Sequence, residues 1–435
     1  MEPHLRRTLG VDNSWLDGEP RATWLARHVP ASFVPRRLRL ELDPRVAGER
    51  VAVVVGPRQS GKSTLIWSTL TQANRDTLYL NCEEPVVRDW LRSPAAFLAD
   101  LKEWLGEIPN LFFEEIQHLA EAGLFLKGLV DRRIGRHIFA TGSSSFDLEA
   151  KTRESLAGRA RRYLLLPLSI GEIGATFEGS KLLRARQLEQ AVGRMAVFGS
   201  YPSVYAGGSL EELAGLVEAF VVRDVSDRFR IQHTAAFRRI LELAASQIGN
   251  LVNASEWAAL VGVSNDTVAE HVRLLEETHV LRLVRPYVGG KRAEITSARK
   301  VYFIDNGIRN QLFGGFGELT ERADRGALLE NLAFSELAKS TNPLLDTISY
   351  WRSKSGAEVD FVVQHQGRLL ACEVKAGAAR GKLSRSAHSF IDAYAPELFL
   401  IVCREPQPAT LVGTTEVRFL ALPELAPVVE GFVGR

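Results

Sequence analysis

Short apolar runs alternate with helical patterns over the first third of the chain. Residues 51–55 read Val-Ala-Val-Val-Val, and such a run is typical of a buried strand. Further apolar runs follow at residues 77–80, 111–113 and 137–140, and the segments between them have helical spacing. Strands that alternate with helices predict a parallel sheet, so we predict an α/β fold.

The pattern changes after residue 167. Residues 170–250 are rich in Ala, Leu, Glu and Arg at helical spacing and predict a helical subdomain. Strand patterns return from residue 301 onward and predict a separate α/β domain. Residues 1–45 mix Trp with Pro and Arg and predict an irregular arm with one short helix.

A glycine-rich turn follows the first predicted strand. Residues 56–63 read Gly-Pro-Arg-Gln-Ser-Gly-Lys-Ser, which matches G-x-x-x-x-G-K-[ST]. In such a loop the main-chain N–H groups wrap phosphates, and the helix that follows adds its partial positive charge. Lys62 would reach the β- and γ-phosphates, and the Ser63 hydroxyl would bind Mg²⁺. The preceding strand favours this P-loop over a plain glycine-rich turn.

Two carboxylates end the strand pattern at residues 110–115. Glu114 would order the shell of the metal, and Glu115 would polarise the attacking water, as in a Walker B strand. Aspartate is usual at the first of these positions, so the longer Glu114 could shift the metal and slow hydrolysis. The alternative is a solvated helix start with acids near its N-terminus.

Two later segments add candidates to the nucleotide site. Ser143 follows the strand pattern at residues 137–140, and it could contact the γ-phosphate or the water because strand ends of a parallel sheet face the ligand. Arg159 precedes the next apolar run and could neutralise transition-state charge, in cis or from a neighbouring subunit. The alternative for Arg159 is a solvated basic turn. The predicted nucleotide-binding residues are Gly56, Pro57, Arg58, Gln59, Ser60, Gly61, Lys62, Ser63, Thr64 and Ser143.

The order of motifs in residues 51–173 resembles that of the AAA+ ATPase domain of a bacterial and archaeal group. The resemblance rests on Gly-Pro-Arg-Gln-Ser-Gly-Lys-Ser, Glu-Glu-Ile-Gln, Ala-Thr-Gly-Ser-Ser-Ser, Ser-Leu-Ala-Gly-Arg and Leu-Pro-Leu-Ser. Members usually carry a C-terminal domain of unknown function, and the tail of this chain also matches. The resemblance implies a nucleotide site made by Lys62, Ser63, Glu114, Glu115 and Ser143, with Arg159 as the arginine of a Gly-Arg pair.

Residues 254–278 predict a helix-turn-helix, and residues 279–302 predict a β-wing around a Gly-Gly pair. Ser264 is the expected N-cap of the second helix, whose buried stripe is Val268, Val272 and Leu275. Its outer face carries Arg273 among four acids, which are Asp266, Glu270, Glu276 and Glu277. Acids are repelled by phosphates, so we favour a subunit-packing role over DNA contact. The wing could still contact DNA through Lys291, Arg292, Arg299 and Lys300.

Asp360, Glu373 and Lys375 flank a predicted two-residue hairpin turn at Gln366-Gly367. With such a turn, opposite residues have numbers that sum to 733, so Asp360 faces Glu373, and Glu373 shares a face with Lys375. Two adjacent acids suit a hard divalent metal. Mg²⁺ held there, with Lys375 activating or steadying a water, would support phosphodiester cleavage.

This pattern resembles the PD-(D/E)xK nuclease superfamily, in which a helix before the hairpin supplies another acid. Glu330 stands at that position, so the resemblance implies Glu330, Asp360 and Glu373 as metal ligands. Two alternatives remain open. One is an exposed hairpin with cross-strand charge pairs of little energetic value. The other is a nuclease fold that binds DNA or regulates without cutting.

Composition narrows the class of protein. A net charge of +2 excludes a chain-wide basic coat but leaves room for a local basic patch. Three scattered cysteines predict neither a disulfide framework nor a zinc site and fit a reducing compartment. The sequence shows no signal-peptide pattern and no apolar run of about 20 residues, so we expect a cytoplasmic protein without membrane association.

Together these patterns predict a cytoplasmic AAA+ ATPase that binds ATP and Mg²⁺. Its nucleotide cycle would drive a conformational change of an attached nuclease-like domain, with DNA as a candidate partner, in a homo-oligomer. The runner-up is a slow nucleotide-dependent switch that binds a protein partner and carries an inactive nuclease fold. The predicted parts are an N-terminal arm (1–45), an AAA+ P-loop domain (46–175), a helical lid (176–235), a winged helix (236–302) and a restriction-endonuclease-like α/β domain (303–435).

Overall fold

A computed structural model describes residues 3–142, 156–207, 209–218, 234–289, 298–377 and 382–434. The chain divides into two compact units, Met1–Pro167 and Leu168–Arg435. We describe each unit by itself.

Five parallel strands form the centre of the first unit. They are β1 (Val51–Val55), β2 (Thr77–Asn81), β3 (Asn110–Glu114), β4 (Ile138–Gly142) and β5 (Ala160–Leu164). Their order in the sheet is β2-β3-β4-β1-β5. Every residue of β1 is buried because helices cover both faces, and this explains its unbroken apolar sequence. The predicted parallel α/β sheet is confirmed.

Helices cover the two faces of this sheet. They are α1 (Pro3–Asp12), α2 (Arg21–Ala26), α3 (Lys62–Ala73), α4 (Pro85–Trp90), α5 (Pro94–Leu105) and α6 (Ala122–Asp131). Alternate residues of β1 point to opposite faces and enter different cores. Val51 and Val53 belong to a core that includes residues of α4, α5 and α6, whereas Ala52 and Val54 belong to a core with α2 and α3.

The N-terminal segment is more ordered than the sequence predicts. Besides α1 and α2, it contributes Asn13, which is fully buried at the edge of β2. Its side chain accepts a hydrogen bond from the Tyr79 N–H at 2.7 Å and donates to the Tyr79 carbonyl at 2.9 Å. This pairing covers main-chain groups at the exposed edge of the sheet. The prediction of an irregular arm is corrected, since helices of 10 and 6 residues are too short to show clear periodicity.

The second unit contains a nine-stranded mixed sheet. Its strands are β6 (Leu251–Val252), β7 (Leu281–Pro286), β8 (Arg299–Phe303), β9 (Asp346–Arg352), β10 (Glu358–His365), β11 (Arg368–Val374), β12 (Leu398–Val402), β13 (Thr410–Val412) and β14 (Thr415–Leu420). The order is β13-β14-β12-β11-β10-β9-β7-β8-β6. Because β7 pairs with β9, one sheet runs through the position where the sequence suggests a boundary between residues 302 and 303. Sequence patterns locate strands but not their partners.

The helices of this unit are α7 (Ile170–Gly174), α8 (Lys181–Phe198), α9 (Pro202–Gly207), α10 (Leu210–Leu216), α11 (Thr234–Ser246), α12 (Ala254–Val261), α13 (Asn265–Glu277), α14 (Asn306–Leu312), α15 (Arg325–Ser340), α16 (Arg385–Tyr394) and α17 (Leu422–Val433). Buried polar contacts join α8 to α14. The Asn306 amide donates to the Ala196 carbonyl at 2.9 Å, and Asn310 donates to the Val197 carbonyl at 2.7 Å. Helices that the sequence suggests as a lid are therefore bonded to a helix from the C-terminal half.

The helix-turn-helix is present as α12 and α13, and the predicted wing has two antiparallel strands, β7 and β8. Lys291 and Arg292, two of the predicted wing residues, lie outside the described residues. The Ser264 hydroxyl caps α13 by accepting a hydrogen bond from the Thr267 N–H at 3.1 Å. The predicted stripe of Val268, Val272 and Leu275 is buried. One correction concerns Glu276, whose carboxylate accepts a hydrogen bond from the Leu283 N–H at 2.8 Å. Glu276 therefore turns toward the hairpin rather than toward solvent with the other acids of the helix.

Candidate functional site

The glycine-rich turn joins β1 to α3 and requires glycine at two positions. Gly56 has φ 147°, and a Cβ there would lie 2.2 Å from the Leu165 carbonyl oxygen on the chain that follows β5. Gly61 has φ 92° and precedes the first residue of α3. Both positions are closed to ordinary side chains. The turn therefore keeps bare main chain where phosphate oxygens would approach, and Thr64 lies in the first turn of α3 behind it.

Lys62 is almost fully buried in this turn. Its ammonium donates to the carbonyls of Gly56 at 3.2 Å and Pro57 at 2.9 Å. The cation thus lies inside the loop beside the N-terminal turn of α3, where the main-chain N–H groups point out of the helix end. A buried ammonium next to helix-end N–H groups suits an anion. The turn therefore fits the phosphates of a nucleotide.

The carboxylate of Glu114 accepts two hydroxyl hydrogen bonds at the end of β3. Ser63 donates to Oε1, and Tyr79 of β2 donates to Oε2. The fold thus brings together Ser63 and Glu114, which the sequence predicts as magnesium ligands. Burial, followed by the charge of Glu114, raises the pKa of Tyr79, so its hydroxyl stays a donor. Burial, followed by the charges of Glu84 and Glu114, also raises the pKa of Asp12.

Glu115, the candidate base, has φ 51°, a left-handed conformation that is uncommon for this residue type. Its N–H donates to Thr141 Oγ1 at 3.1 Å, and its carboxylate accepts a hydrogen bond from Gln117. Thr141 lies near the end of β4, which runs between β1 and β3. Glu115 is therefore fixed at the same sheet edge as the glycine-rich turn. Its carboxylate also lies with Glu83 and His118 in a set whose ligand atoms are all within 4.8 Å of one another.

Arg36 supports the glycine-rich turn through its side chain, a role that the sequence does not predict. It is 6% exposed. Its guanidinium donates to the Ser60 carbonyl at 2.7 Å and to the Leu166 carbonyl at 2.5 Å. It thereby ties the turn to the chain after β5. No local motif surrounds Arg36, so only its burial in the folded protein reveals it.

The predicted C-terminal hairpin is present with the predicted register. Phe361 pairs with Cys372 and His365 with Arg368, and each pair of numbers sums to 733. Gln366 and Gly367 both have positive φ, 49° and 85°, as the tight hairpin turn demands. Asp360 lies one position beyond the Phe361–Cys372 pair, and the same register places it opposite Glu373. It also lies at an irregularity in the pairing of β10 with β9, where bulges commonly redirect a side chain.

The acids around this hairpin have lysine and hydroxyl partners. Glu373 is 2% exposed, accepts a hydrogen bond from Ser384 at 2.8 Å, and forms an ion pair with Lys375 at 2.8 Å. Asp360 accepts a hydrogen bond from the Val374 N–H at 2.8 Å. Burial, followed by the charge of Glu330, raises the pKa of Asp360 to about 7. Asp360 therefore favours its protonated form, mainly because burial disfavours the ionised carboxylate.

Lys300 and Tyr302 of β8 complete this cluster. The Tyr302 hydroxyl donates to Glu330 at 2.5 Å, and the nearly buried Lys300 ammonium lies 3.6 Å from the same carboxylate and contacts Glu358. Burial lowers the pKa of Lys300, but the carboxylates of Glu330 and Glu358 outweigh burial and raise it on balance. The sequence predicts Lys300 as a wing residue. It lies here instead because β8 and α15 pack together.

The predicted metal ligands converge here without forming a coordination set. Glu330, Asp360 and Glu373 are neighbours, but their ligand oxygens do not all lie within 4.8 Å of one another; across the described ranges, Glu83, Glu115 and His118 form the group that does. Like-charged carboxylates repel, and here Glu330 and Glu373 face lysines. The structure therefore shows a cluster of carboxylates and lysines, and metal binding by Glu330, Asp360 and Glu373 stays a prediction.

Residues 48–174 match a family model described as an AAA domain. The chain carries an AAA domain. Residues 189–319 and 325–424 match two further models, each described as a domain of unknown function (DUF8612 and DUF4143). An AAA domain implies nucleotide binding and indicates an ATPase.

Two relatives are similar in sequence over about three quarters of this chain. An uncharacterized protein of Mycobacterium tuberculosis is 27% identical over 346 residues, which are 78% of this chain and 73% of that protein. An uncharacterized protein of Haemophilus influenzae is 26% identical over 344 residues, which are 74% of this chain and 82% of that protein. A Walker-type ATPase of Pyrococcus abyssi has a TM-score of 0.39 and 16% identity, covering 60% of this chain and 90% of that one.

The structure leaves one predicted residue of the AAA domain, Ser143, outside the described residues. It places another, Arg159, away from the glycine-rich turn. Arg159 lies at the amino end of the sheet, where its carbonyl accepts a hydrogen bond from the Val51 N–H, while the glycine-rich turn follows the other end of β1. Five strand residues separate these edges by about 16 Å. The structure therefore does not support the cis role considered for Arg159, whose guanidinium pairs with Asp131.

No helix within the described ranges is both long enough and apolar enough to cross a membrane.

Proposed function

We propose that this chain is a Mg²⁺-dependent ATPase whose nucleotide cycle changes the conformation of an attached, nucleic-acid-associated nuclease-like domain. The observation that carries the ATPase is the meeting of Ser63 with Glu114 beside the buried Lys62. Lys62 and Ser63 begin the helix that follows β1, and Glu114 ends β3, so all three lie at the carboxyl edge of the sheet. Parallel α/β sheets bind ligands at this edge.

Each residue of the AAA domain has a proposed task. The N–H groups of residues 56–63 bind the phosphates of ATP, and Lys62 leaves its carbonyl partners to bind the β- and γ-phosphates. Ser63 and Glu114 hold Mg²⁺, which would neutralise phosphate charge. Glu115 accepts the proton of the attacking water. Ser143 contacts the γ-phosphate, and Arg159 acts on the nucleotide of a neighbouring subunit in a homo-oligomer.

The C-terminal cluster is proposed to hold a divalent cation on Glu330, Asp360 and Glu373, with Lys375 steadying a water. Support comes from the repulsion between neighbouring carboxylates: after burial, the charge of Glu330 is the next cause of the raised pKa of Asp360, and a cation would offset it. A divalent ion there requires Lys375 to yield one oxygen of Glu373. The activity would be metal-assisted cleavage of a phosphodiester in DNA or RNA.

A second candidate function is a slow nucleotide switch that binds a protein partner. The exposed face of α13 favours it, because Asp266 and Glu270 face solvent there and Arg273 is paired with Glu277 at 2.8 Å. A helix with this face suits a basic protein surface better than DNA. In this version the helix-turn-helix and hairpin form a winged helix used for packing.

Measurement of ATP turnover in Lys62→Ala tests the first half of the proposal. We expect turnover to fall to background, whereas Lys102→Ala, an exposed lysine on α5 in the same unit, should retain the wild-type rate. A Lys62→Ala protein that hydrolyses ATP at the wild-type rate would overturn the proposed site.

Incubation of labelled DNA and RNA with Mg²⁺ or Mn²⁺, with and without ATP, tests the second half. The proposal expects cleavage that disappears in Glu373→Gln. Intact DNA and RNA under all conditions contradict the nuclease. Binding to DNA that weakens steeply with salt then supports a DNA-binding role, whereas no binding at any salt concentration favours the protein-partner switch.

A further inference from the structure

The residue at the end of β3 has both carboxylate oxygens engaged. Glu114 accepts hydrogen bonds from Ser63 on Oε1 and from Tyr79 on Oε2. Ser63 belongs to the proposed magnesium site, whereas Tyr79 is not one of the proposed nucleotide-binding or metal-binding residues. Aspartate, the usual residue here, is shorter by one methylene, or about 1.5 Å of chain.

Tyr79 and Glu114 share one face of the sheet. β2 and β3 are paired so that Tyr79 lies beside Phe112 and Asn81 lies beside Glu114. Residues two apart on a strand point the same way, so the Tyr79 side chain can extend along this face toward Glu114. The hydroxyl reaches the carboxylate diagonally across the two strands, a separation within reach of an aromatic side chain.

Tyr79 is also held firmly. Its ring packs against Trp67 at 5.2 Å and Phe112 at 5.5 Å between centroids. Its main-chain N–H and carbonyl are both hydrogen-bonded to the side chain of the buried Asn13. A hydroxyl on such a fixed ring is a preorganised donor, and little conformational entropy is lost when it holds a partner.

We propose that Tyr79 is a positioning residue that holds the long side chain of Glu114 in the place required for Mg²⁺ binding. The extra methylene gives Glu114 an additional rotatable bond, and the hydrogen bond from Tyr79 removes that freedom. Oε1 then stays beside Ser63, where both side chains can contact one cation. The inference rests on the proposed ATPase function and adds the residue that makes glutamate workable at this position.

The test is a double-mutant cycle of Tyr79→Phe and Glu114→Asp, read as the Mg²⁺ concentration that gives half-maximal ATP turnover. Tyr79→Phe keeps the packed ring and removes the hydroxyl. A hydrogen bond to a charged group is worth roughly 1.5–3 kcal/mol, so we expect the Mg²⁺ midpoint to rise about tenfold or more. Mg²⁺-free ATP binding should change little, because the Tyr79 hydroxyl donates its hydrogen bond to Glu114 and not to the main chain of the glycine-rich turn.

In the Glu114→Asp background the shorter carboxylate does not reach the Tyr79 hydroxyl while it stays beside Ser63. In that background Tyr79→Phe should shift the Mg²⁺ midpoint by less than about twofold, because the hydrogen bond that it removes is already absent. The effects of two substitutions are additive only when the two residues do not interact. Tyr163→Phe is the matched control, because Tyr163 lies on β5 in the same core and its hydroxyl does not contact Glu114. Tyr163→Phe should leave the midpoint unchanged.

An equal shift in both backgrounds, or none with Glu114, would overturn the positioning role. Mg²⁺ titrations of a non-hydrolysable fluorescent ATP analogue should be run in parallel. If wild-type protein binds the analogue but does not turn over ATP, the proposed ATPase fails, and the analogue midpoints still decide the role of Tyr79. If turnover is Mg²⁺-dependent and Tyr79→Phe is normal, this inference alone fails.

Discussion

Replacing Arg36 by methionine should destabilise the first unit and weaken nucleotide binding together. The guanidinium joins the Ser60 carbonyl of the glycine-rich turn to the Leu166 carbonyl after β5. Methionine keeps much of the apolar stem but donates no hydrogen bond. Two buried carbonyls then lose a charged donor, and the turn loses its tie to the sheet.

The expected magnitude follows from these contacts. Each of the two hydrogen bonds from this charged donor is worth roughly 1.5–3 kcal/mol. Part of this is recovered because the variant no longer buries a cation, so we expect the free energy of unfolding to fall by about 3 kcal/mol. For a unit of this size the loss corresponds to a fall of roughly 6–12 °C in melting temperature. Affinity for an ATP analogue should fall as well, because the main chain of the loop is no longer preorganised.

The assay is thermal unfolding of the full chain, followed by titration with a fluorescent ATP analogue. The matched control is Arg39→Met, which makes the same charge change at an exposed position three residues away. The control should lie within about 0.5 kcal/mol of wild type. If both variants unfold at the same temperature and bind the analogue equally well, the support assigned to Arg36 is refuted.

Three further results are expected. Gly56→Ala should abolish binding of the ATP analogue, because its Cβ would lie 2.2 Å from the Leu165 carbonyl oxygen; binding close to wild type would contradict the geometry of the turn. Gln366→Gly should raise the unfolding free energy by about 1 kcal/mol by removing a left-handed non-glycine residue, φ 49°, from the hairpin turn; a loss in denaturant titration would count against this turn. In EDTA-treated protein Asp360→Asn should stabilise at pH 8 and not at pH 4. A raised pKa means that the folded state favours the protonated form, so stability is lost as pH rises from the unfolded pKa of 3.8 to the folded pKa of about 7. The full cost of the ionised carboxylate is present at pH 8, and equal effects of the substitution at both pH values would argue against it.

Local order along the chain explains what could be predicted. The strand at residues 51–55, the turn after it and the hairpin register around Gln366-Gly367 depend on neighbours in sequence, and the structure has all three. The cap and buried stripe of α13 follow from the same kind of pattern. The sequence predicts one short helix in the N-terminal segment, whereas the structure has α1 and α2, because ten residues or fewer give little periodicity.

Several partners of the candidate site residues could not be predicted from the sequence. Tyr79 and Glu114 meet because β2 lies beside β3, and Arg36 reaches Ser60 across the folded core. Lys300, expected on an exposed wing, is buried against Glu330 because β8 and α15 pack together. No spacing rule encodes such meetings.

The sequence by itself therefore determined the strand, the glycine-rich turn and the hairpin on which the proposed phosphate and metal residues lie, since turn geometry, strand burial and hairpin register are short-range properties of the chain. The tertiary structure decided how those residues are held. It gave Glu114 two hydroxyl partners, set Arg159 at the far edge of its own sheet, and placed a lysine beside Glu330 and another beside Glu373. The physical reason is that strand order and packing bring distant residues together, and charge balance in a buried cluster depends on every neighbour present.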